Sequence, residues 1–244
     1  MRKILTILIP VYKPGLNLLE QFSVDYLLTR ALSRELKFVA PVDLNVAYYR
    51  DRYPQIQFEK FPSHYFESIA GYNELLLSAL LYERFLNYDY ILIHQTDALL
   101  FLDDLDAWMN LGYDYIGAPW PHGMSLSLTG GNAEIYGGSQ FQAFVGNGGF
   151  SLRRVQRSIS ILEKARPLLD FWRTNRLNED CFFAFAGLLT SDFLVPTVEI
   201  ASRFSLELQP EQYVNANAGK IPTGCHAWWK YDLPFWQKII SEVG

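Results

Sequence analysis

The chain has 244 residues, half of them apolar and 16% aromatic, with 21 basic residues against 26 acidic ones for a net charge of −5. Such a chain buries a substantial core and is too apolar to be disordered. Its acidic balance argues against a polyanion, nucleic acid included, as a partner.

Arg2-Lys3 ahead of the apolar residues 4–12 has the outline of a signal peptide. No small-residue cleavage site is present after it, and Lys13-Pro14-Gly15 intervenes at once, so residues 3–11 read as a first core strand. Its continuous apolar run suits a parallel strand covered on both faces. Residues 17–36 repeat apolar side chains at helical spacing (Leu18, Leu19, Phe22, Tyr26, Leu27, Ala31, Leu32). A short strand is expected at 37–39, a helix at 42–53 and a strand at 56–61. A long helix spans 71–85 and leads to a strong strand at 89–94. This alternation predicts right-handed βαβ units in a doubly wound sheet.

The middle of the chain changes character. Ten of the 16 glycines lie between Gly112 and Gly149, and residues 121–140 hold one formal charge, Glu134. A stretch so rich in glycine predicts a substrate-covering loop, mobile without donor and ordered with it. Helices are expected at 154–169 and 179–189, a strand at 204–208, a loop at 209–223 and a last helix at 234–243. No repeat, heptad run or linker divides the chain, so one continuous domain over 1–244 is expected. Cys181 and Cys225 make no disulfide framework and fit a reducing, cytosolic compartment. No stretch approaches the ~20 apolar residues that span a bilayer.

In open α/β sheets, ligands bind beyond the carboxyl ends of the strands. No dinucleotide fingerprint, phosphate loop or nucleophile elbow stands at those ends, and four scattered histidines have no zinc spacing. The strand at 89–94 instead delivers Gln95-Thr96-Asp97. A carboxylate there either holds a divalent cation on a diphosphate or closes a turn. Asp103, Asp104 and Asp106 read as solvent-facing residues opening a short helix. Asn147-Gly148-Gly149, between apolar segments, are either a hairpin turn or a close-packed sugar-binding floor. Glu179-Asp180 either cap a helix or form a buried base beside aromatics. In Gly224-Cys225-His226-Ala227-Trp228-Trp229, the histidine is either a core residue or a ligand, and the tryptophans could stack on sugars.

In chain order, the set resembles the glycosyltransferase A fold: a D-x-D-like motif, a glycine-rich acceptor segment, an x-E-D motif and a late histidine. More closely it resembles a family known as a domain of unknown function and described as glycosyltransferases. The matching stretches run from Tyr72 to Trp228 and include residues 72–78, 82–85, 89–98, 113–120, 145–153, 178–180 and 222–228. The resemblance implies an α/β, single-domain glycosyltransferase A-like fold with a mostly parallel twisted sheet flanked by helices. Its Rossmann-like nucleotide-binding half would be 1–110 and its acceptor and catalytic half 111–244. It implies a nucleotide-sugar transferase, inverting and metal-dependent, acting in cell-surface polysaccharide synthesis. Mn2+ or Mg2+ would sit on Asp97 and His226, with a UDP-sugar as donor. Pro10, Tyr12, Asn73, Gln95, Thr96 and Asp97 would border the nucleotide. Asn147, Gly148, Gly149 and Trp228 would border the sugar or acceptor. Asp180 would be the general base, with Glu179 orienting substrate or base.

One departure is Gln95, which stands where the motif has its first acid. If no metal takes part, Arg153 or Lys230 would supply the positive charge. The glycan or lipid-linked glycan acceptor would be met in the cytosol or at the inner membrane face. The other reading is a non-catalytic carbohydrate-binding protein derived from the same fold.

Overall fold

The computed structural model describes residues 4–243; residue 3 of the expected first strand, and Arg2-Lys3 of the signal-like outline, lie outside them. The elements begin with β1 (Leu5–Pro10), α1 (Leu18–Arg30), β2 (Glu35–Pro41), α2 (Ala47–Arg52) and β3 (Gln57–Phe61). A 3-10 turn at Ser63–Phe66 leads to α3 (Ile69–Leu76), α4 (Ala79–Glu83), β4 (Tyr90–His94), β5 (Leu99–Leu100) and α5 (Leu105–Leu111). Then come β6 (Tyr115–Ser127), α6 (Gly131–Ile135), β7 (Gln140–Arg154), α7 (Val155–Lys164), α8 (Arg166–Thr174) and α9 (Glu179–Leu189). The chain closes with α10 (Val198–Phe204), β8 (Ser205–Leu206), α11 (Pro210–Ala216), β9 (Gly224–Cys225) and α12 (Leu233–Val243).

Six strands form one sheet in the order β3-β2-β1-β4-β7-β6, and β5-β9-β8 form a small second one. The first four strands of the large sheet run parallel. The long strands β7 and β6 then join antiparallel to β4 and to each other. Successive side chains of the central strands feed opposite cores, as strand geometry requires. Leu8, Ile91 and Ile93 pack with α3, α4 and α7 to α9 on one face. Ile7, Ile9 and Leu92 pack with α1, α2 and α5 on the other. That two-sided burial is why β1 and β4 read as unbroken apolar runs.

Several expected boundaries move. The helix over 17–36 stops at Arg30, because Leu36 pairs with Ile7 as part of β2. The helix over 42–53 shortens to α2, since the Val42 N–H still donates to the Phe61 carbonyl. The helix over 71–85 breaks at Ser78, whose hydroxyl accepts from the Leu80 N–H and starts α4. The helix over 154–169 breaks at Ala165, ahead of Pro167 at the start of α8. The expected loop at 209–223 contains α11, opened by Pro210.

The loop expected over 121–140 is mostly an arm. β6 continues through Ser127 and pairs with β7, which starts at Gln140, with α6 between them. Leu126, Leu128, Tyr136 and Phe141 pin it to the core on the α8 side. Its sparse apolar residues therefore outweigh its glycines, and none of residues 121–140 lines the large cavity at the carboxyl ends of β1 and β4.

Candidate active site

That cavity, of about 720 Å3, opens beyond the last residues of the two central parallel strands. Pro10, Tyr12 and Lys13 enter it after β1, and Gln95, Thr96 and Asp97 after β4. Asn147-Gly148-Gly149 of β7 form its floor, and Asn178-Glu179-Asp180 enter from the start of α9. His226, Trp229 and Lys230 reach in from the segment after β9.

The glycines do not form the hairpin turn, one of their two readings; they lie within a strand that lines the cavity. Residues 147–149 lie inside the continuous strand β7, with Asn147 opposite Ala118 of β6. A Cβ on Gly148 would stand 2.6 Å from Glu179 Oε1, and one on Gly149 would collide with the His226 ring. Two clusters of charged side chains thus lie directly against the backbone on either side of this floor.

The first cluster centres on Asp97, buried at the end of β4. Its Oδ2 accepts from Lys230 Nζ at 2.6 Å, and its Oδ1 lies 3.1 Å from His226 Nε2. The same imidazole nitrogen lies 3.1 Å from Gln95 Oε1, while Nδ1 lies 3.1 Å from Glu207 Oε2. Asn147 Nδ2 donates to that Glu207 oxygen. Burial alone would raise the Asp97 carboxyl, but His226 and Lys230 hold it well below the usual range. Burial works against a charged His226, yet Asp97 and Glu207 overcome it and raise the imidazole to about 9. With carboxylates on both ring nitrogens, His226 is a donor at each. His94, the last residue of β4, is different: burial lowers it to about 4, and it packs against Phe150 as a neutral ring.

The second cluster centres on α9. Arg153 is fully buried and grips Glu179 with two hydrogen bonds of 2.9 Å. The guanidinium also lies 5.1 Å from the Tyr115 ring centroid and 5.3 Å from that of Phe183. Asp180 has no such partner. Its Oδ1 accepts from the Cys181 N–H at 2.7 Å, and burial, reinforced by the Glu179 charge, pushes its carboxyl up to about 6. Asn73 abuts the helix start: its Nδ2 donates to Asn178 Oδ1 at 3.1 Å, and its Oδ1 faces the Glu179 N–H at 3.4 Å.

Of the residues expected at the site, Trp228 is the one displaced. It is buried, donates from Nε1 to Ser23 Oγ at 2.9 Å and packs on Phe22, so its neighbour Trp229 lines the cavity instead. The left-handed backbone at Ala227 (φ 52°) turns the tryptophan into the core. Arg153 is likewise unavailable to a ligand, because its charge is committed to Glu179. Asp103 and Asp106 do not simply face water; both pair with Arg34. Glu207 is not singled out by the sequence reading, which places it inside the strand expected at 204–208; in the structure that strand ends at Leu206, and Glu207 emerges just beyond it. Glu20, which accepts from Lys13 Nζ at 3.2 Å on the cavity wall, carries no sequence signal beyond a helix capping box.

Asp97 and His226 do come together, as expected of a ligand pair, but their donor set suits a divalent cation poorly. Both Asp97 oxygens already face positive groups, and both His226 nitrogens face carboxylates. Among the described residues, no group of three or more histidine, cysteine, aspartate or glutamate side chains is placed to hold a metal ion.

The architecture matches that of solved glycosyltransferases. The galactosyltransferase LgtC, solved in complex with donor and acceptor sugar analogs, aligns at a TM-score of 0.55 and 14% identity, over 91% of this chain and 86% of that one. An active-site mutant of LgtC aligns equally well. Mouse xyloside xylosyltransferase 1 aligns at a TM-score of 0.53 and 11% identity, over 91% of this chain and 96% of that one. At such identities the likeness shows the fold, a mixed α/β sheet of the glycosyltransferase A type. No curated protein matches the sequence. One family's sequence profile covers residues 55–226, a span holding β4 with Asp97, the glycine floor, Asp180 and His226; the chain belongs to that family, the proteins of unknown function DUF5672.

Proposed function

We propose that this protein transfers a sugar from a nucleotide sugar, a UDP-sugar being the first candidate, to a hydroxyl of a glycan or lipid-linked glycan. The observation that carries the reading is a pair of carboxylates tuned in opposite directions on two walls of one cavity. Asp97 is held ionised among cations, while Asp180 is pushed up to about 6. Two carboxylates with separated pKa values mark separate roles in one reaction.

Asp180 fits the general base. Its carboxylate takes the acceptor hydroxyl's proton as the acceptor oxygen bonds to the anomeric carbon. The bond from that carbon to the diphosphate oxygen breaks, and its electron pair leaves with the nucleoside diphosphate. Attack opposite the leaving group inverts the anomeric centre. Glu179, fixed by Arg153, cannot itself swing to the substrate; its part is to hold the first turn of α9 and keep a negative charge beside Asp180. The nucleotide is assigned to the wall after β1 and β4, lined by Pro10, Tyr12 and Thr96. The reaction is assigned to the cytosol, where a lipid-linked acceptor would be met at the inner membrane face. Among the described residues no helix is long and apolar enough to cross a membrane.

The test is a panel of nucleotide sugars offered with glycan acceptors, read as released nucleoside diphosphate. Turnover by the parent and its loss in Asp180→Asn support the reading. Failure to bind or hydrolyse any donor overturns it. Glycan binding at equal affinity in the parent and Asp180→Asn, without turnover in either, identifies a carbohydrate-binding protein instead.

A further inference from the structure

We propose that Lys230, tethered to Asp97, is the cation that receives the negative charge of the departing diphosphate, in the place a divalent metal would otherwise fill. The inference rests on the nucleotide-sugar reading and concerns how the same cavity handles its leaving group.

Three observations converge on Lys230. First, its ammonium sits 2.6 Å from Asp97 Oδ2, at the carboxylate that ends β4, while its side chain stays about half exposed to the cavity. One N–H is used by the tether, and the other two have no hydrogen-bond partner among the described residues. Second, the backbone that delivers it is strained. Ala227 (φ 52°) and Asp232 (φ 54°), both non-glycine residues in the left-handed region, bracket residues 228–231. Such conformations are unfavourable for residues with a Cβ and persist only where surrounding structure enforces them. Here the enforcement is visible: Trp228 donates from its ring to Ser23 and from its backbone N–H to the Asp97 carbonyl at 3.3 Å, and the Lys230 N–H donates to the Ala227 carbonyl at 2.9 Å. The buried tryptophan is thus the anchor and the lysine its payload. Third, the other basic side chains at the cavity are committed elsewhere: Arg153 is buried beneath the floor in its paired bonds to Glu179, and Lys13 is tied to Glu20 at 3.2 Å on the wall after β1. Gln95 completes the pattern. An acid at that position would compete with Asp97 for His226, whereas the Gln95 amide oxygen accepts from the imidazole without adding a charge.

The chemistry balances without a further reactant. As the bond from the anomeric carbon to the diphosphate oxygen breaks, the electron pair and its charge pass to that oxygen. The two free Lys230 N–H groups donate to the diphosphate, and the acceptor's proton goes to Asp180.

Calorimetric titration of the full chain with UDP, and with uridine, in Mn2+ and again in EDTA tests this. The expected result is UDP binding that survives EDTA and falls by about tenfold or more in Lys230→Met, while uridine affinity is unchanged. Lys230→Arg should restore most of the loss. Lys220→Met, which removes the same charge from an exposed site outside the cavity, should bind UDP as the parent does. Unchanged UDP affinity in Lys230→Met, or a strict need for Mn2+, overturns the inference and leaves the transferase reading standing. Failure of UDP, GDP and CDP to bind under either condition overturns both.

Discussion

The two walls of the cavity solve opposite problems with the same functional group. Beside β4, Asp97 is surrounded by His226 and Lys230 and stays ionised despite burial. At the start of α9, Asp180 has a second carboxylate as its neighbour, while Arg153, the cation that acts on it among the described residues, is committed to that neighbour. Burial is common to both sites; the sign of the neighbouring charge decides the outcome. A carboxylate among cations can only hold and orient. One left without a counter-ion and lifted to about 6 can take a proton near neutrality and give it back.

The largest expected effect is on turnover. Asp180→Asn keeps the size and polarity of the side chain but removes the proton acceptor, so kcat should fall by roughly 10²–10⁴ with donor affinity retained. A fully active variant would break the contrast between the walls.

Next in size is the pair beneath the floor. Glu179→Gln leaves Arg153 as a buried charge with only a neutral partner, and chemical denaturation should show a loss of about 3 kcal/mol or more. The same variant removes the like charge beside Asp180. Its surviving activity should therefore show an acidic limb moved to lower pH, a shift that simple loss of stability would not cause.

In the parent, the kcat/KM profile should rise about tenfold per pH unit below 6 and level off above it, as Asp180 loses its proton. An acidic limb near the ordinary carboxylate value would remove the raised group from the mechanism.

Stability should move the other way from rate. The folded-state pKa of Asp180 is raised, so the folded protein holds the proton more tightly than the unfolded chain. That contribution is full below the ordinary value of 3.8 and is lost as pH rises through about 6. At pH 7, Asp180→Asn should consequently be more stable than the parent by about 3 kcal/mol, read as a higher Tm. A residue that merely capped α9 would instead lose about 1 kcal/mol on the same substitution.

The smallest effect concerns the anchor. Trp228→Phe keeps most of the packing but removes the bond to Ser23, and should cost about 1 kcal/mol of stability. Glycan affinity should be unaffected, because Trp229 and not Trp228 lines the cavity.

Much of the fold and part of this site are legible in the residues themselves. Apolar runs such as Tyr90–His94 mark strands covered on both faces, and the residues after such a run must emerge at the sheet edge, which places Asp97 and Gln95 there. The residues of α9, from Glu179 to Leu189, are readable as a helix with its acids in the first turn. Crowded glycines signal close approach, although whether Asn147–Gly149 form a turn or a floor depends on the neighbouring strands β4 and β6. Only the tertiary structure decided the partner of each charge. Lys230 reaches Asp97 across 133 positions of sequence, His226 reaches Gln95 across 131, and Arg153 reaches Glu179 across 26. Spacing along the chain encodes periodicity within one element, and so strands and helices can be read from it. Whether a buried carboxylate faces a cation or another carboxylate depends on which elements the sheet brings together, and that sets Asp97 and Asp180 apart.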